Sequence, residues 1–160
     1  MTDKEAMIFK RLTYDSKTGV FTWTNEAPKK VAGKLANAKD KLGYVCLKID
    51  GVMYKAHRLA WLFVHGVMPS GHIDHINGNP SDNRIVNLRD VSHAINIQNE
   101  RKARSNNKSG LLGVSPNGCK WRSEIRVCGK KINLGTYVTP QEAHQAYLKA
   151  KREMHKGATL

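Results

Sequence analysis

Ile73-Asp74-His75-Ile76-Asn77-Gly78-Asn79, continued by Asp82-Asn83-Arg84-Ile85-Val86-Asn87-Leu88-Arg89 and by Ser92-His93-Ala94-Ile95-Asn96, decides how this chain reads. It gathers acids, amides and one central histidine into a short span. Asp carboxylates and Asn carbonyl oxygens suit magnesium or manganese rather than zinc. A histidine beside them is the usual general base near neutral pH. Residues 72–89 read as a hairpin-like loop rich in Asn and Gly, and Ser92 as the N-cap of a helix running to about Ala103.

Upstream of that stretch, Ala56, Leu59, Ala60 and Phe63 fall at i, i+3, i+4 and i+7, which predicts a helix from Ala56 to His65 with one buried stripe. His65 before Gly66 reads as its C-terminal cap. His57 has two readings, a satisfied core histidine or a supporting group near a phosphate. Gly43 to Ile49 alternates, Asp50-Gly51 signals a tight turn and Val52-Met53-Tyr54 returns as the partner strand. Lys29 to Lys41 is a lysine-rich loop, open to two uses: a solvated surface or a contact with a DNA backbone. Val20 to Trp23 is a short strand after the turn Asp15-Ser16-Lys17-Thr18-Gly19, and residues 3–12 are a weak helix. His72 and His93 flank the central stretch and read as peripheral.

The 160 residues allow one domain or two small ones. A net charge of +14 excludes an ordinary metabolic enzyme and points to a polyanion. The charge is uneven: residues 1–100 carry 14 Lys+Arg against 10 Asp+Glu, and residues 101–160 carry 13 against 3. The C-terminal part is therefore the expected anchor on phosphates. Cys46, Cys119 and Cys128 have no metal-site spacing, so no structural zinc and no disulfide framework is expected. With no signal-like start and no apolar run of spanning length, the chain reads as soluble and cytoplasmic, with no membrane partner.

Downstream, Arg101, Lys102, Arg104 and Lys108 sit among Ser and Asn and read as a basic linker able to lie on DNA. Three strands follow, Leu111–Ser115, Trp121–Val127 and Lys131–Tyr137, turned at Asn117-Gly118 and Cys128-Gly129. Thr139-Pro140-Gln141-Glu142 is a capping box opening a last helix. By alternation Trp121, Ser123, Ile125, Val127, Ile132 and Leu134 face that helix. Arg122, Glu124, Arg126, Lys131 and Asn133 face outward. Arg122, Arg126, Lys131 and Asn133 are thus candidate DNA contacts.

Asp74-His75, Asn87 and Asn96, with Asn77-Gly78, Asp82-Asn83-Arg84, Asn87-Leu88-Arg89 and the upstream Ala56-His57-Arg58-Leu59-Ala60-Trp61, together resemble the His-Asn-His (HNH) endonucleases in their beta-beta-alpha-metal form, common in phages. The resemblance spans most of residues 14–100. It implies His75 as general base, Asp74 as the anionic ligand of Mg²⁺ (or Mn²⁺), Asn96 as the neutral ligand, and Asn87 as the residue that holds the loop. It also implies a bend that lets the adjacent Asp74 and His75 reach one phosphate, and a final Asn where the strict motif has His.

Gly113-Val114, Trp121, Glu124-Ile125-Arg126, Leu134-Gly135-Thr136-Tyr137 and Ala143…Ala146-Tyr147 are similar to the plant APETALA-type (ethylene-response-factor) DNA-binding domain. That likeness implies a sheet laid in a major groove. Ser115-Pro116 stand where that family carries arginines, so the first strand lacks its base-reading side chains. The expected fold is α+β. A nuclease domain (1–100), a linker (101–110) and a three-stranded sheet with one helix (111–160) follow in order.

The function implied is a divalent-metal-dependent DNA endonuclease, homing-like or free-standing, phage or prophage encoded. It would nick double-stranded DNA as a monomer or cut both strands as a homodimer. The competing reading is a non-catalytic DNA-binding regulator with a nuclease-like fold. RNA cleavage has no supporting feature such as an aromatic sheet face.

Overall fold

The structure is a computed structural model that describes residues 2–98, 103 and 107–155. The chain divides into two compact units, Met1–Val91 and Ser92–Leu160. The expected boundary near residue 100 lies outside the described residues.

In the first unit, Thr2 and Glu5 form a capping box for helix α1 (Asp3–Arg11). Ile8 is its buried residue. Strand β1 (Leu12–Asp15) follows at once and pairs antiparallel with β2 (Val20–Trp23). The Asp15 carboxylate accepts from the Lys17 N–H and the Thr18 hydroxyl and closes the turn between them. The next hairpin pairs β3 (Cys46–Ile49) with β4 (Val52–Lys55). Asp50 (φ 45°) and Gly51 (φ 86°) both take the left-handed conformation that a two-residue hairpin turn requires.

Helix α2 (Ala56–His65) runs as its apolar spacing predicts, with Ala56, Leu59, Ala60 and Leu62 fully buried. Phe63 packs on Phe9 and Phe21 at ring-centroid distances of 4.6 and 5.6 Å. Tyr14 stacks on Phe21 at 4.7 Å. Against this core lie β5 (His72–His75) and β6 (Leu88–Val91), joined through the Asn-rich loop and a 3₁₀ turn at Ile85–Asn87.

In the second unit, a short helix α3 (His93–Gln98) starts after Ser92. The expected continuation toward Ala103 crosses residues 99–102, which lie outside the described residues. The sheet has order β7-β8-β9: Val114–Asn117, Lys120–Val127 and Lys130–Tyr137. Thr139 and Glu142 form the capping box of α4 (Pro140–Met154), as the sequence predicts.

Two residues expected to face α4 are less covered than their neighbours on that face. Trp121 is partly exposed and stands outside the cluster of Ile125, Tyr147 and Ala150, rather than filling the core. Ile132 is 37 % exposed although it pairs with the buried Ile125. Two residues further along β9 the register shifts between Ser123 and Glu124, so Leu134 is the extra residue of a bulge and packs against the cluster. Lys108 is exposed on an ordered turn. There the Asn107 side chain accepts from the Ser109 and Gly110 N–H groups at 2.8 and 3.1 Å.

Candidate active site

The antiparallel register of β5 and β6 sets Ile73 against Asp90, Asp74 against Arg89 and His75 against Leu88. The entry to β5 is held from two sides. Arg58 on α2 donates to the carbonyls of Gly71 (3.1 Å) and Pro69 (3.0 Å). The Asp90 carboxylate accepts from the N–H groups of Ser70 and Gly71, both at 2.9 Å. His57, the neighbour of Arg58, faces the site from the same helix turn.

Asn87 is buried and ties the loop together. Its Oδ1 accepts from the Asn77 N–H (2.9 Å) and its Nδ2 donates to the Asp82 carbonyl (2.8 Å). Asp82 is in turn forked by Arg84 at 2.8 and 2.7 Å, which pulls its carboxyl down to about 2. Asn77 reaches the same carboxylate at 2.7 Å.

Asp74 and His75 do not share a bent loop. Both lie in β5, where successive side chains leave the strand on opposite faces. The Asp74 carboxylate, 7 % exposed, takes the Arg89 guanidinium through Nε at 2.8 Å and a terminal nitrogen at 2.6 Å. The expected bend is therefore replaced by a cross-strand ion pair.

His75 is buried at 5 % exposure. Its Nε2 lies 3.4 Å from Asn83 Oδ1. Its ring meets the His57 ring edge-on at 5.1 Å between centroids, and Tyr44 flanks both rings at 5.5 and 5.9 Å. Burial holds the His75 pKa below its ordinary value, opposed by Asn83, Asp74 and Asp82. An imidazole so placed is neutral at pH 7 and able to accept a proton. His57 is pushed lower still, to about 3, first by burial and then by His75, Arg58 and Lys55. It is a core histidine, but not a satisfied one: its Nδ1 is buried without a hydrogen-bond partner among the described residues.

Asn96 sits on α3 in the second unit, where its N–H donates to the Ser92 carbonyl at 3.0 Å. Among the described residues no group of three His, Cys, Asp or Glu side chains could hold a metal ion. Of the basic residues expected on DNA, Arg101, Lys102 and Arg104 lie outside the described residues. Arg126 pairs with Lys131 and Glu124 with Asn133 across β8 and β9, so Arg126, Lys131 and Asn133 share the outer part of the sheet and are exposed. Arg122 is partly covered; it donates to Asn117 Oδ1 at 3.2 Å. An open depression of about 240 Å³ runs between Ser115, Glu124, Arg126 and Lys131.

Residues 54–98 match the model of a protein family described as HNH endonuclease. Over 108 residues, 64 % of its length, the chain is 33 % identical to Protein 3.8 of Escherichia phage T7, and it covers 88 % of that protein. This chain belongs to the family of phage T7 Protein 3.8. No solved structure gives a significant match.

The HNH segment of this Protein 3.8 relative holds Asp74, His75, Asn87 and Asn96 together with Arg89 and Asn83. The last two escaped the sequence reading as site residues. Arg89 becomes visible only through the strand register, and Asn83 only through the loop path that turns its side chain inward. Tyr14 lies outside the HNH segment. No helix among the described residues is long and apolar enough to cross a membrane.

Proposed function

We propose that this chain is a DNA endonuclease that hydrolyses phosphodiester bonds, with His75 as general base. The observation that carries the reading is the buried imidazole of His75 at the end of β5, inside the segment that matches the HNH endonucleases. A neutral imidazole takes a proton from water as the water attacks phosphorus. Asn87 keeps the loop around that imidazole closed. The exposed Arg126, Lys131 and Asn133, with Arg122 beside them, supply a surface for double-stranded DNA, in keeping with the +10 charge of residues 101–160 (13 − 3). The APETALA-type likeness of this unit belongs to the same proposal and rests on its three strands and one helix alone.

The Mg²⁺ or Mn²⁺ that the HNH resemblance implies would draw on Asp74 and Asn96. Asp74 Oδ2 already holds the Arg89 guanidinium, so a cation there would have to displace it. No chemical step is therefore assigned to the metal. The same ion pair is the one observation that favours the second reading, a DNA-binding regulator that keeps the fold without cutting.

Incubating the purified chain with supercoiled plasmid, with Mg²⁺ or with EDTA, separates the two. Cleavage that EDTA stops, and that His75→Ala lowers by roughly 10²–10⁴ with DNA affinity unchanged, supports the nuclease. Binding without cleavage under every condition supports the regulator.

A further inference from the structure

We infer that Asn83 is the positioning residue of the base: it fixes which nitrogen of His75 receives the proton. The inference rests on the nuclease reading for its consequence, but not for its geometry. Asn83 is 2 % exposed, and its side chain lies between two fixed partners. Its Nδ2 donates to the Ser81 carbonyl at 3.3 Å, which orients the amide with Oδ1 toward His75 Nε2, 3.4 Å away. An amide oxygen only accepts, so His75 Nε2 carries the hydrogen and Nδ1 carries the lone pair. The 3.4 Å separation is long, as hydrogen bonds at catalytic groups are before substrate arrives.

Asn83 is itself held from the N-terminal hairpin. The Tyr14 hydroxyl donates to the Asn83 carbonyl at 2.7 Å. Ser16 accepts from the Ile85 N–H at 3.4 Å. Gly19 lies so close that a Cβ there would meet Arg84 N at 2.5 Å and the Asn83 carbonyl carbon at 2.7 Å. Three contacts from β1 and the turn that follows it thus set the backbone around the residue that orients the imidazole. His57 and Tyr44 limit the rotation of the same ring from its other sides.

The test uses the full chain labelled with ¹⁵N-histidine. The His75 ring signal is assigned by its loss in His75→Ala. The wild type should show the tautomer protonated at Nε2. Asn83→Leu should give a mixture of tautomers, and Asn83→Asp, which keeps an acceptor oxygen, should restore the single form. In plasmid cleavage, Asn83→Leu should lower kcat by about 10–100-fold with KM for DNA nearly unchanged, the range seen when an outer partner of a functional imidazole is removed. Asn83→Asp should recover most of the rate. Tyr14→Phe, which removes only the hydroxyl, serves if Asn83→Leu fails to fold, and should shift the tautomer signals the same way by less. A His75 tautomer unchanged in these variants overturns the inference even where the wild type cuts DNA. If the wild type does not cut, the nuclease reading fails, and the tautomer measurement alone still decides whether Asn83 orients His75.

Discussion

Replacing Arg89 by alanine tests whether the ion pair on β5 and β6 governs what Asp74 can bind. The Asp74 side chain is 7 % exposed and that of Arg89 26 %, with contacts of 2.6 and 2.8 Å. Removing one partner of a buried ion pair costs about 3–5 kcal/mol. The partial exposure of Arg89 places this case near 3 kcal/mol. In a unit of this size each kcal/mol moves the melting temperature by roughly 4–8 °C, so Arg89→Ala should melt about 12–24 °C lower than wild type. A divalent cation can then take the place of the guanidinium. Mn²⁺ at a hundredfold excess over its Kd should return about 2.7 kcal/mol, most of the loss. Wild type, whose carboxylate already holds the guanidinium, should gain little from the same Mn²⁺, and Asp74→Asn/Arg89→Ala should gain nothing. The assay is thermal unfolding followed by circular dichroism, with and without Mn²⁺. An Arg89→Ala variant that melts like wild type, or that Mn²⁺ does not stabilise, refutes the reasoning.

His57 should make the fold sensitive to acid. Its folded pKa of about 3 lies below the ordinary 6.5, so the unfolded chain takes the proton first. Stability should hold above pH 6.5 and fall as pH drops from there toward 3, by up to about 1.4 kcal/mol per unit, and His57→Phe should flatten the curve in urea titrations between pH 7.5 and 4. Arg126→Ala with Lys131→Ala should reduce the slope of log affinity against log salt by about 2, measured on any duplex, and weaken all sequences alike. Gly113→Ala should cost about 1–3 kcal/mol in the second unit, read by its melting. The new Cβ would fall 1.9 Å from Cδ2 of the buried Tyr147, at a φ of +71°.

Much of the scaffold was legible in the chain. Ala56, Leu59 and Ala60 declare the α2 stripe by spacing, and Thr139 with Glu142 declares the start of α4, because both signals are local. Strand β1 was not legible. Leu12-Thr13-Tyr14-Asp15 follows α1 without a break, and four residues show too few alternations to stand apart from a helix end. In the site, the identities of Asp74, His75 and Asn87 stand out as residue types, but their partners do not. Arg89 meets Asp74 only because of a register fixed by buried neighbours on both strands, and no local pattern encodes that. The bulge at Leu134 is hidden for the same reason.

Tyr14, Ser16 and Gly19 reach forward across more than sixty positions to grip the loop at Asn83, Arg84 and Ile85. The segment that bears the recognisable motif begins only at residue 54. The heritable signature and the mechanical unit are therefore different lengths of chain. A gene fragment trimmed to the signature would preserve every letter by which the enzyme class is recognised and discard the brace on its imidazole. Relatives that share the motif but carry another N-terminal hairpin would need to supply that brace from elsewhere, and the residues facing Asn83 are where such a substitution would be written.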